Sequence, residues 1–145
     1  MDDFWNTYLA PKSDITIIQQ NSIVATNQIQ ISKYATKYPT TTQRKILWTD
    51  WNPWSAGQCI GWIRAVTGVD FSGNASEWVK YVNSQVAEID TIVVLNVSKY
   101  GHVGLVIDKD DTSITVRSRN YEGLWIVSDN KFDKDDERIL GYIKF

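Results

Sequence analysis

Cysteine, histidine and methionine each occur once in the 145-residue chain, and proline three times. A single cysteine excludes an intramolecular disulfide and a cysteine-rich zinc site. No apolar run approaches the ~18 residues of a membrane span, and the net charge of −2 gives no general attraction to nucleic acid or to an anionic membrane. The N-terminal stretch MDDFWNTYLAPKSD has acids where a secretory signal needs cations, and it lacks an apolar core. The expectation is a protein without a standard signal, reaching its place of action by another route. Aromatic residues are plentiful instead: seven Trp and seven Tyr supply large burial per residue, and exposed ones can stack on sugar rings.

Residues 1–46 are rich in Thr, Gln, Asn and Ile, and periodicity does not decide between strand and helix there. This segment has no assigned role, and 37–43 reads as a loop or linker. The pattern sharpens at 47. Residues 48–57 form an aromatic loop broken by Pro53 and Gly57. Cys59, Trp62, Ile63 and Val66 then share one face of a helix ending near Gly68. A second helix is expected after Asn74 as N-cap, with Glu77 three residues on and an apolar stripe of Trp78, Val79, Val82 and Val86. Strands are expected at 91–97, 103–107, 113–117, 124–127 and 139–143. Helices followed by about five short antiparallel strands make an α+β domain over 47–145.

The only thiol stands in the first turn of its helix, behind Gly57 and Gln58. A helix N-terminus carries roughly +0.5 charge, which favours a thiolate. The Cys59 N–H and the Gln58 side chain can both point at a developing oxyanion. The plain alternative is a cysteine packed beside Trp62 and Ile63. The only imidazole, His102, opens a strand. If 108–112 closes a hairpin with Ile107 opposite Ser113, His102 faces Ser118, with Asn120 diagonally adjacent on the same face. Val106, Ile114 and Val116 share that face, which reads as the helix-covered core, and a one-residue slip would turn His102 away. Cys59 as nucleophile, His102 as base and Asn120 or Ser118 as orienter form the set a thiol hydrolase needs. Trp54, Tyr100, Tyr121 and Glu122 flank these positions as candidate substrate contacts, Trp51 beside them.

Four short motifs occur in order: Ala56-Gly57-Gln58-Cys59 with Trp62, Gly73-Asn74-Ala75 with Trp78, Gly101-His102-Val103-Gly104, and Arg119-Asn120-Tyr121-Glu122-Gly123. Together they resemble the CHAP family of thiol hydrolases over residues 47–145. The resemblance implies a papain-like α+β fold, with helices packed on a small antiparallel sheet. It also implies cleavage of an amide bond in bacterial peptidoglycan, as an N-acetylmuramoyl-L-alanine amidase or a peptide endopeptidase, in a phage lysin or a virion-associated enzyme. Such a protein works beside other lysin domains or virion subunits. It reaches the wall from the virion, or from the host cytoplasm at lysis. A non-catalytic wall-binding or virion structural module on the same fold is the alternative, and a thiol amidase on a small soluble substrate is another. In the carry-over Cys59 is nucleophile and His102 base. Many relatives place a Glu two residues before the Asn, and Ser118 stands there. Asn120 alone then orients the ring, or Glu122 substitutes, or activity is weakened. No cofactor is required. Some relatives hold calcium nine and seven residues before the Cys and two after it; these positions are Asp50, Asn52 and Gly61, of which only the first two carry oxygen ligands.

Overall fold

Cys59, Trp62, Ile63 and Val66, spaced for one helical face, are all buried on α1 (Cys59–Thr67) in the computed structural model, which describes residues 30–41 and 58–145. Each aliphatic side chain fully buried in this way contributes about 1.5–3 kcal/mol. The helix ends where Gly68 takes a left-handed conformation (φ 82°) that only glycine adopts without strain, and its N–H closes on the Arg64 carbonyl at 2.9 Å. The chain divides into two units, Met1–Ile31 and Ser32–Phe145. The helix α1 and the strands that follow it belong to the second.

Five strands follow: β1 (Ile92–Leu95), β2 (His102–Lys109), β3 (Ser113–Arg119), β4 (Val127–Asp133) and β5 (Ile139–Ile143). They form one antiparallel sheet in the order β4-β3-β2-β1-β5, an α+β arrangement. The fourth strand lies later than the expected 124–127. Its residues, Val-Ser-Asp-Asn-Lys-Phe-Asp, are mostly polar because it is an edge strand with one side open to water, yet it pairs with β3 along its whole length.

Apolar clusters cover both faces of the central strands. Val103 and Leu105 of β2, with Ile92 and Val94 of β1, pack under α1, whereas Val106, Ile114, Val116, Val93, Leu95 and Tyr142 form a separate cluster on the other face. The helix therefore covers the face opposite to the one expected from the sequence. Residue alternation identifies which residues share a face, but an apolar set on each side leaves no mark of which one receives the helix.

The expected second helix is a 3₁₀ segment, Ala75–Tyr81. Trp78 is fully buried in it, but Val79 and Val86 are exposed, so the long apolar stripe does not form. Tertiary pairing accounts for the early stop. Asn83 and Ser84 donate to the Tyr142 carbonyl of β5 at 3.0 and 3.1 Å, which draws the chain into an extended path. Asn74 occupies the N-cap position, but its side-chain oxygen accepts from the Ser76 hydroxyl (2.6 Å) rather than from a backbone N–H.

Residues 32–41, expected to belong to the N-terminal segment, are held to the sheet. The Ser32 hydroxyl donates to Asp90 at 2.6 Å, Arg117 donates to the carbonyls of Ala35 and Tyr38, and the Thr41 N–H reaches the Val127 carbonyl at 2.9 Å. Tyr34 and Tyr38 also pack against the α1 cluster. Of the candidate residues, Trp51, Trp54, Asp50 and Asn52 lie outside the described residues, and with them the calcium proposal. No described helix is long and apolar enough to cross a membrane.

Candidate functional site around Cys59 and His102

The N-terminus of α1 and the first residue of β2 meet at the sheet's end. Gln58 is the N-cap, extended at φ −86° and ψ 153°, and no hydrogen bond to the helix occupies its side chain. Cys59 follows, 8% exposed. A cleft of about 450 Å³ is lined by Gln58, Cys59, Gly101, His102, Asn120, Tyr121 and Arg138, among others. A second depression of about 260 Å³ shares Gln58, Cys59, Tyr100 and Gly101 with it and continues to Asn74 and Ala75. The two are arms of one groove with Cys59 at the junction. The thiol and the imidazole, 43 residues apart in sequence, thus face a common space.

Two glycines of the Gly101-His102-Val103-Gly104 motif make this possible. Gly101 sits at φ +72°, and a Cβ there would stand 2.6 Å from the Ser76 backbone nitrogen. The 3₁₀ segment can therefore lie against the start of β2, where the Ser76 N–H bonds to the Tyr100 carbonyl at 2.7 Å. Gly101→Ala is expected to destabilise the fold by about 1–3 kcal/mol, from left-handed strain and from a backbone contact that cannot move aside. Chemical denaturation checks this; an unchanged midpoint would show that the segment has room to shift. Gly104 lies across from Ser118, and a Cβ on it would collide with the Val116 side chain and stand 3.1 Å from Ser118. Its bare Cα lets the Ser118 side chain lean toward His102.

His102 Nε2 and the Ser118 hydroxyl are 2.8 Å apart, with His102 and Ser118 6% and 2% exposed. Asn120, the other orienter candidate, lines the cleft but faces elsewhere. It takes a left-handed backbone (φ 73°), and its side-chain oxygen accepts the Trp125 N–H at 2.7 Å, closing the turn into β4. Asn120 is thus a turn-former, and Ser118 contacts the ring. Glu122 does not stand in for the glutamate that the sequence resemblance leads one to expect beside the ring, because it receives a hydrogen bond from Asn130 and lines a different depression beside Thr40, Thr41 and Asp129. Tyr121 packs its ring 5.3 Å from the imidazole and 5.7 Å from Phe132, half-buried. Tyr100 is exposed on the groove, with the Lys99 ammonium 4.9 Å from its ring centre. Two groove residues carried no sequence signal: Ser98 and Arg138, the latter from the turn before β5.

The electrostatics differ from a preformed ion pair. Burial pushes the Cys59 thiol above its ordinary range, although backbone donors at Val103, Ile60 and Cys59 itself pull it down. Burial likewise lowers His102 to about 4. The expected thiolate is not the resting form; desolvation outweighs the roughly half charge of the helix end. At neutral pH the pair is a thiol and a neutral imidazole. Iodoacetamide is therefore expected to alkylate Cys59 more slowly at pH 7 than it alkylates free cysteine. The rate should keep rising beyond the pH at which a free thiol is fully ionised; a plateau at neutral pH would contradict this ionisation state. Among the described residues no cluster of three His, Cys, Asp or Glu is placed to hold a metal ion.

No family model matches the chain, and no curated protein matches it. Among solved structures it is similar to the crystal structure of Ly7917, at 18% identity and a TM-score of 0.47, over 61% of this chain and 53% of that one. The match thus spans about half the length of that neighbour.

Proposed function

We propose that this chain hydrolyses an amide bond of bacterial peptidoglycan by a Cys–His thiol mechanism on a papain-like CHAP fold, as a phage lysin or a virion-associated enzyme. The observation that carries the chemistry is that Cys59 and His102 line one cleft, at a helix start and a strand start. The choice of substrate rests on the four ordered sequence motifs.

The chemistry follows from the hydrogen bonds. Nε2 is engaged by Ser118, so a neutral ring that is to accept a proton at Nδ1 must carry its hydrogen on Nε2 and donate to the Ser118 oxygen. The Cys59 sulfur attacks the carbonyl carbon while its proton passes to Nδ1, since neither group is charged at rest. The oxyanion meets the Cys59 N–H, which has no intrahelical acceptor, and the Gln58 side chain. The imidazolium then protonates the leaving nitrogen, and the C–N bond breaks. Water, deprotonated by the same ring, releases the acyl group from sulfur. Ser118 is a neutral partner and stabilises the imidazolium less than a carboxylate would.

Digestion of purified peptidoglycan followed by mass spectrometry is the test. Peptide freed from muramic acid would identify an amidase, and new N-termini on the peptides an endopeptidase. Wall recovered without either product refutes the proposal. A non-catalytic wall-binding or virion structural module is the second reading, favoured by the raised thiol pKa and the neutral Ser118. Retained wall binding with no product would select it.

A further inference from the structure

The larger arm of the groove holds one permanently charged side chain that no sequence motif announces. Arg138 lines it beside His102 and Tyr121, and no acidic residue lines that arm among the described residues. The guanidinium is fixed in place. Its Nε and Nη2 donate to the two carboxylate oxygens of Asp136 at 2.9 and 2.7 Å, and Phe132 lies under it with the ring centre 5.2 Å from Cζ. The backbone is held too: the Arg138 N–H donates to Asp136 at 2.9 Å, and its carbonyl accepts from Asn96 at 2.8 Å. Asp136 takes two of the five guanidinium N–H groups and the Tyr121 hydroxyl engages a third, which leaves two, on a side chain 45% exposed. A preoriented guanidinium with spare donors, facing a cleft without an acid, suits a carboxylate.

We propose that Arg138 binds a carboxylate on the amine side of the scissile amide, and so selects substrates whose leaving amine belongs to an acidic amino acid or peptide. The placement rests on the hydrolase reading given above. The group that protonates the leaving nitrogen is His102, so the leaving segment lies along the arm that His102 lines. Arg138 lines that arm, and neither residue lines the smaller one. The charge on Lys99, stacked on Tyr100 at the junction, adds to the same preference.

The test is calorimetric titration of full-length Cys59→Ala protein with L-alanyl-D-glutamic acid and with its diamide. The acid is expected to bind about tenfold more tightly or better, the gain of charge-assisted hydrogen bonds. The preference should vanish when Arg138→Gln is added and persist in part with Arg138→Lys. Equal affinity for the two probes, binding of neither, or a preference that survives Arg138→Gln overturns the proposal. If Arg138→Gln does not fold, the Arg138 Nε–H resonance in the Cys59→Ala background decides: it should shift with the acid and not with the diamide, and an unmoved resonance overturns the proposal. Wall digestion by the Cys59→Ala protein would instead refute the Cys–His mechanism, while the carboxylate preference stayed measurable.

Discussion

Cys59→Ala protein is expected to release amide-cleavage products from purified peptidoglycan at less than about a thousandth of the wild-type rate, the scale of loss when a covalent nucleophile is removed. The chain has one cysteine and one histidine, so neither has an understudy. His102→Ala should cost about 10²–10⁴-fold, the range for a lost general base. Ser118→Ala should cost far less, because a neutral hydrogen bond is worth about 1 kcal/mol, roughly five-fold in rate. That order of effects separates nucleophile, base and orienter. Wall binding by the Cys59→Ala protein should be intact, since the change removes one small group from a site that is otherwise unaltered. Equal lysis by wild type and Cys59→Ala would dismiss the thiol mechanism outright. The pH profile adds a second check. With the imidazole lowered to about 4, the base stays unprotonated into mild acid, so turnover at pH 5 should remain close to that at pH 7. An acid limb centred near pH 6.5, the ordinary histidine value, would place His102 in a wetter setting than the one seen here.

The same burial makes the fold itself sensitive to pH. In the unfolded chain His102 takes up a proton near pH 6.5, whereas in the folded chain it does so only near 4. Between these values the unfolded state binds more protons, so stability falls as pH falls. It is complete above about 6.5, declines through the interval, and is lower by about 3 kcal/mol at pH 4, where the folded-state ring is half protonated. Because the sequence holds no other histidine, the interval from 6.5 to about 4.5 belongs to this group. Asp110 and Asp136 add to the acid loss only lower down. Both are held below the usual carboxylate range, Asp110 mainly by backbone and side-chain donors of Thr112 and Ser113, Asp136 by Arg138. His102→Asn protein should unfold at the same denaturant concentration at pH 7 and pH 5, while the wild type should not. Parallel losses in the two proteins would mean that His102 is not the group responsible.

Much of this site was legible in the residues because helical and strand periods are local properties. The spacing of Cys59, Trp62, Ile63 and Val66 located α1, and the Gly68 stop located its end. The strand that begins at His102 and the hairpin after it were equally plain. Less legible was whatever depended on distant chain. Asn83 and Ser84 leave helical geometry because β5, some 60 residues away, offers them a carbonyl at Tyr142. Asn120 resembles a ring orienter in sequence but is recruited by Trp125 for a turn. Arg138 belongs to no motif and reaches the groove through the order of strands. The pairing of β2 with β3 shows both sides of this. The turn is tighter than expected, with Asp110 receiving the backbone N–H of Thr112 and Ser113 at 2.9 and 2.7 Å, and β2 runs on to Lys109. Lys109 pairs with Ile114 and Asp108 with Thr115, then Val106 with Val116 and Leu105 with Arg117. Continuing the count sets His102 opposite Asn120, two residues from the expected partner. A slip of two keeps every side chain on its face, so Ser118 still lies on the imidazole's side.

Ile107 is the residue left over between the two halves of that ladder. Were Ile107 paired in its turn, the ladder counted back from Lys109 and Ile114 would carry His102 to Tyr121 and set Ser118 on the opposite surface. The hairpin therefore contains one residue of slack, stored at a single place. A chain shortened there by one would regain a regular ladder with imidazole and hydroxyl still neighbours, losing only the contact Ile107 makes with the α1 cluster. Shortening β3 by one between Val116 and Ser118 has no such reserve to draw on and would part them.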